Sequence, residues 1–160
     1  MPQTPEETIV RSVTDIDAPA ELVFSLITDL PRYRDWNPFT PVAVSTLELG
    51  APIDMKVRLF PYYTKAQREF VTELSAERRR VAWGMHMGRP EWGRGHRTQE
   101  VVALGEGRCR YVCEDNIGGL LRPVIIRFFG GAMQRGFDDV GRALKAEAEK
   151  MVAEGRATRG

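Results

Sequence analysis

Residues 53–60, IDMKVRLF, constrain the fold more than any other stretch. Ile53, Met55, Val57 and Leu59 alternate with Asp54, Lys56 and Arg58, a period of two that an extended strand turns into one dry and one wet face. A sheet with one dry face has to bury it against another layer. The chain supplies a partner of matching length. From about residue 121 to 151, Ile125, Phe129, Met133, Phe137, Val140 and Leu144 recur at spacings of three and four with Lys and Glu opposite. That is the stripe of an amphipathic helix, roughly 45 Å long at 1.5 Å per residue. Two apolar faces that must cover each other predict an antiparallel sheet packed on a long C-terminal helix.

The other segments fit this plan. TIVRSVTDI, residues 8–16, is rich in β-branched side chains and reads as a strand. Asp17 is placed as the cap of a short helix that tolerates Pro19 in its first turn and buries Leu22, Val23, Leu26 and Ile27. Asp29-Leu30-Pro31 interrupts it, a second short turn carries Tyr33 and Trp36, and Asn37-Pro38 ends that. VAVSTL, AQREFVTELS, RRVAWGMHM, HRTQEVVAL and RCRYVCEDNI bring the strands to seven, with GRPEWGRG as a loop around Trp92. Gly130-Gly131 lies inside the long helical pattern, at about 1 kcal/mol per glycine relative to alanine. A kink or a close approach to the sheet would account for the pair. With no repeat and no linker, the 160 residues form a single domain, with fraying expected at 1–7 and 153–160.

Composition narrows the function. Charged residues make up 28% and leave a net charge of +1, so no dominant phosphate-binding surface is expected and no nucleic-acid partner. Arg78-Arg79-Arg80 reads as a solvated turn. No window reaches the roughly 18 apolar residues of a membrane span, and MPQTPEETIV is no secretion signal, so a cytoplasmic location is expected. Cys109 and Cys113 would lie about 13 Å apart on one strand face, too far to bridge; two reduced, half-buried thiols are expected. Two cysteines and two scattered histidines predict no metal site. GxSxG, P-loop, HExxH and Rossmann glycine patterns are absent. No cofactor is implied.

Several local motifs, in order, carry a resemblance over nearly the whole chain. Ile16-Asp17-Ala18-Pro19 is followed by Val23-Phe24 and Thr28-Asp29; Tyr33, Trp36, Asn37 and Pro38 form a Y..WNP segment. Gly107-Arg108-Cys109-Arg110-Tyr111 and Gly119-Leu120-Leu121 complete the set. Together they resemble the START-like, Bet v 1-like superfamily, in a member of the bacterial polyketide cyclase/dehydrase type. The resemblance implies an α+β helix-grip fold. A seven-stranded curved antiparallel sheet would wrap around the long C-terminal helix, with two short helices after the first strand and a cavity between sheet and helix. Trp36 and Trp92 would then stand at its mouth, the broken segment 29–38 acting as a lid. In the alternative, Trp36 and Phe39 simply plug the core.

Strand parity selects the polar groups that enter such a cavity. Turning Tyr111 inward brings Cys109, Cys113 and Asp115 with it; turning Val102 and Leu104 inward brings His96, Thr98 and Glu100. Glu100, Asp115 and His96 are therefore the catalytic candidates, since a desolvated carboxyl can exchange protons with a carbonyl compound near neutral pH. A one-residue bulge would reverse either assignment, and Arg97 would reach the interior only in that event. His86 is placed on the outer face. Trp36, Phe39, Met55, Leu59, Trp83, Met85, Tyr111, Phe128 and Met133 are the candidate ligand-binding wall.

Three readings stand at this point. The first is a domain that binds a small or medium hydrophobic molecule in an internal cavity. The second is a polyketide cyclase, aromatase or dehydratase using cavity carboxylates as general acid and base. The third is a co-chaperone-like interaction module, resting on the all-round apolar stretch 120–129. A monomer or a homodimer is expected.

Overall fold

The computed structural model describes residues 7–155. The expected fraying lies mostly outside that range, and residue 153 closes the last helix. Nine residues of the opening strand, β1 (Thr8–Ile16), lead into α1 (Ala20–Thr28), a 3-10 turn (Leu30–Arg32) and the one-turn α2 (Tyr33–Trp36). Then come β2 (Val42–Val44), β3 (Pro52–Phe60), β4 (Tyr63–Ser75), β5 (Arg80–His86), β6 (Arg94–Gly105), β7 (Arg108–Gly118) and α3 (Arg122–Ala153). The seven strands make one antiparallel, curved sheet in the order β1-β7-β6-β5-β4-β3-β2, which grips α3.

Each element has a local reason and some expectations shift. The N-cap of α1 is Pro19, not Asp17. Asp17 lies two residues before that cap, and its backbone N–H donates to Glu149 Oε1 at 3.0 Å, tying the start of the segment to the far end of α3. α2 is so short because Asn37 turns the chain: its Oδ1 accepts from the N–H groups of Phe39 and Thr40 at 3.1 and 2.8 Å. Arg79 and Arg80 are not simply solvated. Arg79 pairs with Glu21 at 2.7 Å, and Arg80 with Glu73 and Glu100 at 3.0 and 3.1 Å. Cys109 and Cys113 are both fully buried and free, deeper than the half-burial expected.

α3 divides into two functional halves. Phe137, Val140, Leu144 and Ala148 are buried in one hydrophobic cluster with Ile16, Val23, Ile27, Val81 and Tyr111, each large aliphatic or aromatic side chain contributing about 1.5–3 kcal/mol. Close approach is set by Gly136 and Gly141 rather than by the Gly130-Gly131 pair. A Cβ at Gly136 would sit 2.2 Å from the Phe39 ring, and one at Gly141 2.2 Å from Thr14 Oγ1. At Gly130 the nearest atom is Ile126 of the same helix, and at Gly131 only the tip of Arg135. The N-terminal half of α3 stands off the sheet, and there the space opens.

Candidate functional site

A cavity of about 280 Å³ lies between the sheet and the N-terminal half of α3, at the small end of the ~300–1,000 Å³ usual for small-molecule pockets. Phe39, Met55, Val57 and Leu59 form one wall and Met85, Met87 and Ile117 another, under a roof of Ile125, Phe129, Met133 and Phe137. Gly95 makes part of the room. It sits on the inner face beside Asp115, where a Cβ would come within 3.5 Å of Oδ1. Phe39 and Leu59 separate the cavity from a second groove of about 420 Å³ lined by Arg58, Arg135 and Asp139.

The polar groups gather on the sheet. Arg97 on β6 is directly opposite Asp115 on β7, and Gln67 and Glu69 reach in from β4. The Arg97 guanidinium is buried among aromatic rings, 4.7 Å from the Phe137 centroid and 5.8 Å from those of Phe39 and Trp83, where ring quadrupoles offset part of the lost hydration. Its Nε donates to Cys113 Sγ at 3.3 Å, while Nη2 is buried with no partner among the described residues. Asp115 Oδ1 is likewise sealed and unpartnered. Burial, with the nearby Glu69 carboxyl, pushes Asp115 up to about 7, against the pull of Arg97. Burial raises Glu69 as well, although Gln67 Nε2 donates to its Oε2 at 2.7 Å. An unmet donor and an unmet acceptor in one mostly apolar chamber each forgo about 1–3 kcal/mol. A ligand carrying both complementary groups would recover part of it.

Several expected site residues are elsewhere. Glu100 and His96 point to the outer face of the sheet. Glu100 pairs there with Arg80, and His96 Nε2 lies 2.7 Å from Thr72 Oγ1. Val102 and Leu104, taken as inward, are 40% and 43% exposed, while Arg97, Gln99 and Val101 are buried. The cause is a bulge. The β6–β7 hairpin closes with Gly105 opposite Arg108, but Leu104 is left out of the ladder and Ala103 faces Cys109. From there Val101, not Val102, is opposite Tyr111, and every β6 side chain changes face.

The apolar wall also differs from expectation. Phe39, Met55, Leu59, Met85 and Met133 line the cavity. Trp36 packs edge-on against Tyr33 at 5.3 Å inside the core, and Trp83 lies beneath Arg97. Tyr111 donates to Gln99 Oε1 at 2.6 Å below the floor, so none of these three reaches the lumen. Phe128 points outward, 66% exposed, and its neighbour Phe129 takes the inner position. Trp92 is exposed on the β5–β6 loop. No side chain of the Y..WNP segment lines the cavity; Phe39, just after it, does.

Glu69, Gln67 and Gly95 were not singled out from sequence. The signal for the β4 pair was the β3–β4 register, which sets Gln67 opposite the inward Met55 and Glu69 opposite Ile53. A second bulge, between Arg58 and Phe60, hides it from anyone counting back from the turn.

Known proteins bear out the architecture. The structure superimposes on the Zhui aromatase/cyclase from Streptomyces sp. R1128 with a TM-score of 0.77 at 20% identity, covering 97% of this chain and 99% of that one. A START superfamily protein from Mycobacterium smegmatis gives 0.69 at 14%, covering 89% and 98%. The major latex-like protein 151 of Panax ginseng gives 0.72 at 13%, covering 89% and 97%. At these identities the likeness establishes the fold alone. No curated protein sequence matches the chain. The sequence does match one family, polyketide cyclase / dehydrase and lipid transport, over residues 7–149. Spanning nearly all of the described fold, cavity included, that match makes the chain a member of the polyketide cyclase/dehydrase and lipid transport family.

Proposed function

We propose that the protein binds a small, mostly apolar molecule with one polar end, inserted so that this end meets Arg97 and Asp115. The observation that carries the reading is the pair of buried atoms, Arg97 Nη2 and Asp115 Oδ1, left without a hydrogen-bond partner among the described residues on the wall of a mostly apolar chamber that Gln67 and Glu69 also enter. Arg97 calls for an acceptor such as a carbonyl or enolate oxygen, and Asp115 when ionised for a hydroxyl donor. Apolar burial supplies affinity at about 25 cal/mol per Å² before the costs of association.

A second reading is favoured by one further feature, the Asp115 carboxyl held near neutral pH inside the cavity. Such a group exchanges a proton with a carbon acid or a β-hydroxyl at little cost. Arg97 would stabilise the oxyanion that forms. That is a workable arrangement for cyclisation or dehydration of a ketone-bearing substrate. Native mass spectrometry of freshly purified protein, with denaturing extraction of any adduct, tests the binding reading. A stoichiometric adduct bearing a carbonyl or hydroxyl supports it; failure to bind any of a panel of aromatic ketones and fatty acids would sink it. Turnover of a poly-β-ketone that disappears in Asp115→Asn, with binding retained, separates the enzyme from the carrier.

A further inference from the structure

The end of the molecule at which the cavity opens has a composition that ligand binding does not require. Alternating hairpins place the β3–β4 turn, the β5–β6 loop and the β7–α3 connection at one end of the antiparallel sheet. Tyr62 and Trp92 are exposed there at 88% and 52%, and Leu120, Val124 and Phe128 at 78%, 52% and 66%. The last three recur at spacings of four from the β7–α3 connection along the outer side of the start of α3, a second stripe that among the described residues meets only the Arg127 guanidinium over the Phe128 ring. The elements form one surface. Phe60 stacks on Tyr62 and tilts against Phe129, and the backbone N–H groups of Leu120 and Leu121 donate to Glu91 and Trp92 of the opposite loop. A monomer seldom exposes so much contiguous apolar surface without a use for it.

Charge says what covers it. The β3–β4 turn brings Arg58 and Lys65, the β5–β6 loop Arg89 and Arg94, and the start of α3 Arg122, Arg127 and Arg135. Glu91 is the one acidic residue within these three segments, residues 58–65, 87–94 and 119–135, and Arg94 is paired with Glu7. Because the whole chain carries only +1, the rest of it is net acidic. A two-fold contact between copies would set this basic ring on its own image. An anionic surface is favoured instead, and exposed aromatic and aliphatic side chains interleaved with arginines are the make-up of a segment lying at a lipid interface.

We infer that this rim docks the protein on an anionic lipid surface, with Trp92, Leu120, Val124 and Phe128 entering the headgroup region and the exposed Arg58, Arg89, Arg127 and Arg135 resting on lipid phosphates. The cavity mouth then faces the bilayer, and an apolar ligand passes between them without crossing water.

The test is partition of the full-length protein onto phosphatidylcholine vesicles with and without phosphatidylglycerol, followed by co-sedimentation and tryptophan emission. Trp36 and Trp83 are buried, so an emission change on adding vesicles reports Trp92. Partition onto the anionic vesicles with a blue shift is expected, and much weaker partition onto neutral ones. Each basic side chain near the surface is worth roughly fivefold in partition, so Arg89→Gln with Arg127→Gln should lower it roughly 25-fold. Phe128→Ser should also lower it while leaving the melting temperature unchanged, because that ring packs on little. Arg78→Gln, on the β4–β5 turn at the opposite end, should change nothing. Equal partition onto both vesicle types, or full partition by both rim variants, would overturn the inference. So would no partition at all, including the case in which the face instead pairs two copies or captures an acidic protein. Neither Arg89 nor Arg127 lines the cavity, so ligand bound by these variants in detergent-free solution shows separately whether the binding reading stands.

Discussion

Asp115→Asn asks how dry the cavity wall is. In the native protein the Asp115 carboxyl is raised from 3.8 to about 7, chiefly by burial, with Glu69 adding to the shift and Arg97 opposing it. Three units at 1.36 kcal/mol each come to about 4 kcal/mol. The sign follows from where the proton is held. Between about pH 4 and 7 the native carboxyl keeps a proton that the unfolded chain has released, so stability is greatest below pH 4. It falls as pH rises through that window and is level above it. Asparagine has the same shape and does not titrate. The stability difference, variant minus wild type, should therefore grow by up to about 4 kcal/mol from pH 4 to pH 8. Its value at pH 4 sets only the baseline, because groups not coupled to Asp115 cancel in the comparison and the slope is what reports the carboxyl. Urea unfolding at pH 4, 6 and 8 with a common m value measures it. A difference flat within about 1 kcal/mol would refute the reasoning, because the carboxyl would then be solvated and the unmet acceptor on which the binding reading rests would not exist.

Five other substitutions probe the same cavity and core. Gly136→Ala should cost about 1–3 kcal/mol in thermal or urea unfolding, because its Cβ would overlap the Phe39 ring; Gly131→Ala, where only the end of Arg135 is near, should add up to about 1 kcal/mol. Arg97→Met should weaken binding of an extracted carbonyl ligand by about 1.5–3 kcal/mol in a calorimetric titration, and unchanged affinity would move the polar end elsewhere. Gly95→Val should fill part of the chamber and weaken ligand binding more than it lowers the melting temperature. Glu100→Gln should leave binding and any turnover unaltered and cost under about 1 kcal/mol of stability, the worth of a partly exposed ion pair.

The architecture was legible because it rests on local patterns. Alternation in IDMKVRLF, the three-and-four spacing of α3 and the break at Asn37-Pro38 each depend on a residue and its near neighbours. Sterics and burial act on them in the same way wherever they sit in the fold. The inward set on β3 followed directly, as did the outward placing of His86 and the partner helix for the sheet. The inner set on β7 followed too, Asp115 among it.

What enters the cavity was decided by tertiary structure. Leaving Leu104 out of the β6–β7 ladder turned Glu100 and His96 outward and brought Arg97 in, and the irregularity at Leu59 did the same service for Gln67 and Glu69. Gly105 beside Leu104 is a residue that bulges favour, but which residue drops out of the ladder depends on the register of the whole hairpin. Trp36, Trp83 and Tyr111 were placed by the same global competition for space. Large aromatic side chains beside a cavity can line it or fill the core beneath it, and only the positions of Gly136, Phe39 and α3 settle which. The period of two records that a strand has two faces; which face a given residue takes is set by register, and register is a property of the whole sheet.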